Sequence, residues 1–526
     1  MATRSTRAAV LDETSGRERS FFLILLMIAV PASAAIRLVN IVSPLLERHG
    51  FRQTQTAFTV WCNLTSGFTL FHPMTPVFGP PWQVPFECPI FQICAAAFAK
   101  LTGFEVDLAC RLTALAFFYL SALALYSLVR GQISDKRAAA FVILAYLFSP
   151  FTIVWSRASL IEYAALFFAL AYVDLLLRWL QTPGKAILLL GAIVAGALGS
   201  LTKITTMATV VPAILLCSLP LLALTWRGRA SNRMKLCIIG LWLMALAIPL
   251  FVGQAWVWHA DAIKSQFPMG RVLVSTAPLL TQWNYGTLAQ RAHLANWGVI
   301  FGRISLYIFT LGFIAAPVLA VARIPFIDRR EAIFVLSMVG GVLLPICLFF
   351  NLYLIHDYYL SAVSAAACTL LGLGLHQLWL MLSKWAQWRA TQRAWILALM
   401  IVFLGGQYPG AVRAADYLRP SFTIRYDHPI CQMGDILDRT TPADEVVILT
   451  GFGDWDPSIL YYAKRRGLLV WKREPALETI RLSRFPSATV LCAVPDPELL
   501  DMWAHRQLIE QGSSMQVWHV WDYRGG

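Results

Sequence analysis

SPLLERHGFRQTQTAFTVWCNLTSGFTLFHPMTPVFGPPWQVPFECPI, residues 43–90, separates the first two long apolar runs of the chain. It is rich in turn residues and carries Glu47, His49, Arg52, Gln53, His72 and Glu87. What flanks it is mostly apolar runs joined by short basic clusters. A polar loop of this size between runs that must be buried reads as a membrane scaffold presenting one large loop to water.

Composition supports that reading. The chain has 526 residues, 58% hydrophobic and only 14% charged, whereas soluble domains carry roughly 45–50% apolar and about 25% charged residues. The surplus apolar surface has to face lipid, and only helices or closed barrels satisfy their backbone groups there. A net charge of +14 lies largely in Lys and Arg clusters between apolar runs, as expected of loops retained on the cytoplasmic side. That excludes nucleic acid as the default partner. The ten cysteines show no CxxC pair and no zinc-ligand spacing. Cys62, Cys88, Cys431 and Cys492 fall in segments placed outside the membrane, where no pattern assigns a disulfide. The run after residues 1–20 lacks a small-residue cleavage site and reads as a retained helix.

Run lengths and basic clusters predict about eleven crossings in an all-α polytopic fold. Residues 1–20 form a cytoplasmic tail and 21–42 the first span. The run 90–101 is too short to cross at 1.5 Å per residue and is expected as an interfacial or re-entrant helix, so 43–107 is one outer loop. Spans are expected near 108–129, 138–154, 160–179, 186–201, 205–225, 236–256, 298–321, 332–350, 359–381 and 394–410. They leave an outer LTK turn (201–203), an outer loop 257–297 and an outer NLYLIHDYY turn (351–359). The membrane part then covers 21–412. Residues 413–526 read as a small extracytoplasmic α/β domain: EVVILTG and SATVLCAV as strands, ILYYAKRRG as a helix capped by Gly467, and PDPELLDMWAHRQLIEQG as a helix. The protein is accordingly expected in the inner membrane, N-terminus cytoplasmic and C-terminal domain periplasmic.

Four stretches carry a resemblance: HGFRQTQTA (49–57), FECPIFQ (86–92), GFEVDLACRL (103–112) and IHDYY (355–359). With the large first loop, the basic turns and the outer C-terminal domain, the chain resembles the GT-C membrane glycosyltransferases. Within them it is similar to the dolichyl-phosphate-mannose protein mannosyltransferase and aminoarabinose transferase group, as a divergent bacterial branch. The family's acidic pair falls on His49 and Gly50 here, and Glu87-Cys88-Pro89 stands where relatives carry Lys or His before Pro-Pro. The resemblance implies transfer of a sugar from a polyprenyl-phosphate donor to a cell-envelope glycan, lipid or protein on the outer face. A transporter or flippase of a lipid-linked saccharide, and a non-enzymatic assembly protein, are the competing readings. Transporters usually show internal repeats and midplane charges, and neither is visible.

The implied reaction needs a group to take the acceptor hydroxyl's proton and cations or a metal to hold the departing phosphate. Glu87, between apolar residues, His49, Glu47 and Asp357 are the candidate bases. Arg52, Gln53, Arg157, Glu162, Lys203, Arg271, Arg291, His356 and Tyr358 are the candidates for holding phosphate or sugar. Arg157 and Glu162 are expected as a pair at one span end, and 52–62 as a helix lying in the membrane interface. No motif requires a cofactor, and members of the family differ on whether they need a divalent cation. There is no nucleotide-binding loop, dinucleotide fingerprint or G-x-S-x-G.

Overall fold

The structure is a computed structural model that describes residues 24–228, 231–309, 314–383, 394, 408–512 and 515–524. Among them, α1 spans Ile24–Leu38, α2 Gly50–Ser66, α3 Ile90–Thr102, α4 Val106–Gln132, α5 Arg137–Phe148, α6 Pro150–Trp155, α7 Glu162–Gln181 and α8 Ala186–Met207. Next come α9 Val211–Arg227, α10 Asn232–Lys264, the short α11 Pro268–Arg271, α12 Pro278–Tyr285 and α13 Leu288–Ala292. Then follow α14 Leu294–Arg303, α15 Ala315–Ala322, α16 Arg329–Leu348, α17 Phe350–Ile355 and α18 Leu360–Leu382. Among the described residues, six helices are long and apolar enough to cross a membrane: α4, α7, α8, α10, α16 and α18 with the turn before it. α1, α3, α5, α9, α14 with the turn after it, and α15 with the turn after it are shorter apolar helices. Length alone therefore supports six crossings; the expected eleven require the shorter helices as well.

α7 sits inside the bundle against α4 and α8, and α18 packs on α5 and α15. Gly372 and Gly374 allow that last contact: a Cβ on them would meet the Val142 backbone at 2.4 Å and the Ala316 carbonyl. Small residues at such crossings let helix backbones approach where lipid offers no hydrophobic drive. Leu236, Leu243, Leu250 and Phe251 of α10, and Leu215, Leu219 and Leu224 of α9, stay exposed, as lipid-facing side chains do. α3 has 13 residues and ends on Gly103 in the left-handed conformation, matching the short run and its Thr-Gly turn.

Within the bundle, α8 and α2 differ from expectation. α8 runs through the LTK stretch, and its helical geometry breaks at Lys203 itself. The break leaves the Leu201 carbonyl free to accept the Cys88 N–H at 3.1 Å, which ties the 86–89 segment to α8. α2 is not spread on a lipid surface. Its residues Gln53–Val60 are buried, with Phe58 against Tyr461 and Thr54 bonded to Ser458. The 1–20 tail, and all but Ala394 of the expected span before residue 408, lie outside the described residues.

After the bundle come α19 (Tyr408–Leu418), a single turn at Pro420–Thr423 and α20 (Pro429–Thr440). A five-stranded sheet follows in the order β2-β1-β3-β5-β4, with β1 Val446–Thr450, β2 Gly467–Leu469, β3 Ser487–Cys492, β4 Trp503–Gln511 and β5 Gln516–Tyr523. β1 is parallel to β2 and β3; β5 is antiparallel to β3 and β4. The helices around it are α21 (Ser458–Ala463), α22 (Arg473–Ser483) and the one-turn α23 (Pro497–Leu500). α21 stops at Lys464 in the left-handed region, so Gly467 opens β2 and caps no helix. The expected helix after Pro495 shrinks to α23 and becomes β4, an edge strand exposed from His505 onward. The long loop 67–89 covers the opposite edge: Gly467 N–H donates to Pro76 O at 3.0 Å and Leu469 N–H to Val77 O at 2.8 Å. Sheet and loop are one packed unit.

Asp107, in the first turn of α4, completes that docking. Its carboxylate accepts the hydroxyls of Tyr461, of Tyr426 at 3.0 Å and of Tyr462 at 3.1 Å. Burial, with Asp107 adjacent, pushes all three phenols above their usual range, so they stay protonated donors. Asp107→Ala removes the acceptor of three buried phenol hydroxyls and should cost about 2 kcal/mol, the order of leaving buried donors unpaired. Limited proteolysis should then release the 420–524 region faster than from wild type.

Candidate active site

His49 starts the site. It precedes α2 with φ 51° and ψ 46°, a left-handed conformation uncommon outside glycine. Its carbonyl accepts the Arg52 N–H, starting the helix, and its ring Nε2 lies 2.9 Å from Asp357 Oδ1. Asp357 arrives there because α17 ends at His356, whose extended backbone turns the chain before the 357–359 turn and α18. The other Asp357 oxygen accepts the Tyr417 hydroxyl at 3.0 Å, and Trp155 Nε1 donates to that same Tyr417 oxygen at 2.6 Å.

One turn into α2, Arg52 reaches Glu87 at 3.2 Å and Gln55 at 2.5 Å. Arg52 and Glu87 line a small cleft, with Gln55, Thr59, Phe86 and Gln92 in its wall. Lys203, at the break in α8, bonds Glu162 at 2.5 Å and lies 4.3 Å above the Tyr359 ring and 5.5 Å from Tyr358. Tyr358 in turn contacts the His49 ring at 5.1 Å. His49, Arg52, Glu87, Glu162, Lys203, His356, Asp357 and Tyr358 thus form one contiguous cluster at one end of the bundle.

His356 packs its ring 4.9 Å from His49, and its Nδ1 is buried without a partner. Burial, with His49, Arg52 and Arg303 nearby and only Asp357 opposing, lowers its pKa to about 4. The unfolded chain, with an ordinary value of about 6.5, takes up the proton first as pH falls. His356 therefore favours the folded state above pH ~6.5, and this preference is lost between about 6.5 and 4. His356→Gln should flatten the decline of the melting temperature across that window.

The remaining candidates are placed elsewhere. Glu47 gives both oxygens to Arg111, each at 2.5 Å, with neither side chain exposed beyond 2%; a carboxylate so held is not available as a base. Arg157 does not pair with Glu162. It donates to the Val39 and Asn40 carbonyls at 2.6 and 2.8 Å, closing the end of the first helix. Gln53 is buried between the Ser159 N–H and the Arg48 carbonyl. Arg291 caps α16 through the Cys347 and Leu348 carbonyls. Arg271 is exposed and 3.7 Å from Glu478 of α22, beside an apolar groove. All ten cysteines are free, and no group of three His, Cys, Asp or Glu among the described residues could hold a metal. Sequence reasoning missed Asp107, Arg111, Trp155 and Tyr417. Arg111 was the findable one, a lone charge inside an apolar run.

Known proteins resemble the chain in sequence over one segment and in fold over most of its length. Residues 84–256 match the sequence model of the dolichyl-phosphate-mannose-protein mannosyltransferases. ArnT from Cupriavidus metallidurans, bound to undecaprenyl phosphate, superposes with a TM-score of 0.60 at 14% identity over 94% of this chain and 98% of that one. The fold is that of the GT-C glycosyltransferases. Its apo form superposes at 0.57, again at 14% identity, over 94% of this chain and 97% of that one. The oligosaccharyltransferase AglB from Archaeoglobus fulgidus, in complex with an inhibitory peptide and a dolichol-phosphate, gives 0.54 at 14% identity. That match covers 90% of this chain and 69% of AglB. No curated protein sequence matches the chain. The identities are low, yet the fold matches nearly the whole of ArnT.

Proposed function

We propose that the protein is an integral-membrane glycosyltransferase. It moves a hexosyl or pentosyl group from a polyprenyl-phosphate donor to a cell-envelope glycan, lipid or protein on the outer face of the inner membrane. The observation that carries this reading is the convergence of Arg52 and Lys203 beside the His49–Asp357 dyad. The GT-C fold supports it. In this reading 43–107 and 257–297 are outer loops and the sheet domain is periplasmic.

With Nε2 bonded to Asp357, His49 keeps Nδ1 as its proton acceptor. That nitrogen takes the acceptor hydroxyl's proton, the oxygen attacks the anomeric carbon, and the bond from that carbon to the phosphate oxygen breaks. The electron pair leaves with the phosphate, whose charge Arg52 and Lys203 receive. Glu87 and Glu162 hold these cations in place before donor binds, and the Glu87 carboxylate is engaged by Arg52. Glu87 is therefore proposed to orient Arg52.

The test is incubation of the purified protein with undecaprenyl phosphate carrying a radiolabelled hexose or pentose, following label released to water or passed to an envelope extract. Arg52→Ala and Lys203→Met should each raise the donor KM about tenfold or more, since a hydrogen bond to a charged group is worth ~1.5–3 kcal/mol. No turnover by wild type with either sugar class would argue for the transporter or assembly readings instead.

A further inference from the structure

We infer that Tyr417, on the helix that leads into the sheet domain, is a positioning residue for the His49–Asp357 dyad. The inference rests on the glycosyltransferase reading above and adds a residue from the far end of the chain.

Tyr417 is 2% exposed and lies next to the last residue of α19. Its ring stacks on Tyr307 at 4.0 Å and 14°, and the Arg48 guanidinium covers it at 4.1 Å. Arg48 Nε also donates to the Tyr417 carbonyl at 3.2 Å. The ring therefore cannot turn away. With its oxygen accepting from Trp155 Nε1, the hydroxyl proton is left for one acceptor, Asp357 Oδ2. Tyr417 thus fills one carboxylate oxygen and aims the other at His49 Nε2. A carboxylate so oriented selects the imidazole tautomer with its proton on Nε2, as a third group does for a catalytic base. Burial drives the Tyr417 phenol far above its usual range, so it remains a donor at any working pH.

The same contacts make the site depend on where α19 sits. Arg48 immediately precedes His49, and its grip on Tyr417 joins the start of α2 to α19. A displacement of the sheet domain that dragged α19 would release Asp357 and leave the imidazole unoriented.

Tyr417→Phe keeps the stack and the guanidinium contact and deletes only the hydroxyl. With undecaprenyl phosphate carrying a radiolabelled sugar and water as acceptor, kcat should fall about tenfold with the donor KM unchanged. The acid limb of the rate profile should move to higher pH, because a carboxylate without its donor stabilises the His49 imidazolium more. Trp155→Phe, which weakens Tyr417 as a donor, should move that limb the same way by less. In a His49→Ala background Tyr417→Phe should cost nothing further, since the two act as one unit. An unchanged kcat and pH profile, or a full additional loss in that background, overturns the inference while leaving an active wild type as evidence for the enzyme. An inactive wild type removes the enzyme reading and this inference together.

Discussion

Glu47→Ala is expected to destabilise the protein by about 3–5 kcal/mol, the usual cost of leaving one member of a buried ion pair alone. Arg111 is fully buried in α4 and its two terminal nitrogens each meet a Glu47 oxygen. They also bond the carbonyls of Ser43, Pro44 and Arg157, while Nε has no partner. Those carbonyls can share the guanidinium's protons but cannot balance its charge. The pair fixes α4 against the turn that precedes His49, so its loss also loosens the start of α2. The fall should appear as a melting temperature several degrees lower in detergent. Replacing both partners with Met or Leu should recover most of it, because matched apolar side chains carry no desolvation cost. A loss under about 1 kcal/mol would mean that the carbonyl cradle alone holds Arg111.

His49→Ala is expected to lower transfer about 10²–10⁴-fold, the range typical of a general base. Asp357→Asn should approach the same loss, because an amide can present its N–H to the ring and favour the wrong tautomer. Glu87→Gln keeps the shape of the Arg52 contact and removes its charge, and should cost about tenfold through weaker donor orientation. Single-turnover release of labelled sugar separates the three, since it reads the chemical step without acceptor binding or product release. If His49→Ala stayed within a few-fold of wild type while Glu87→Gln lost a hundredfold, the base would be Glu87.

Much of the site's neighbourhood was legible in the chain because it depended on local quantities. The turn-rich loop after the first apolar run, the short helix closed by Gly103, and the strands at 446–450 and 487–492 follow from run length, turn residues and β-branched content. So did the short list containing His49, Arg52, Glu87, Lys203 and Asp357: charged groups at the ends of apolar runs are costly unless they serve a purpose. Where two local signals compete, reading failed. WAHRQLIEQ has helical spacing, yet its pairing with β5 makes it a strand; KRRG looks like a helix cap, yet Lys464 takes the left-handed turn so that Gly467 can enter β2.

Apolar run length, charge spacing and turn residues determined by themselves that this is a helical membrane protein with a small α/β tail, because burial in lipid is decided stretch by stretch. Which charge faces which was decided only by the tertiary structure. Glu162 pairs with Lys203 and not with nearby Arg157, and Glu47 is taken by Arg111 and not by the loop's own cations. His49 acquires an aspartate from the other half of the chain and, through it, a tyrosine from α19. Such pairings depend on how the helices cross and where α8 breaks, and packing of the whole bundle sets both.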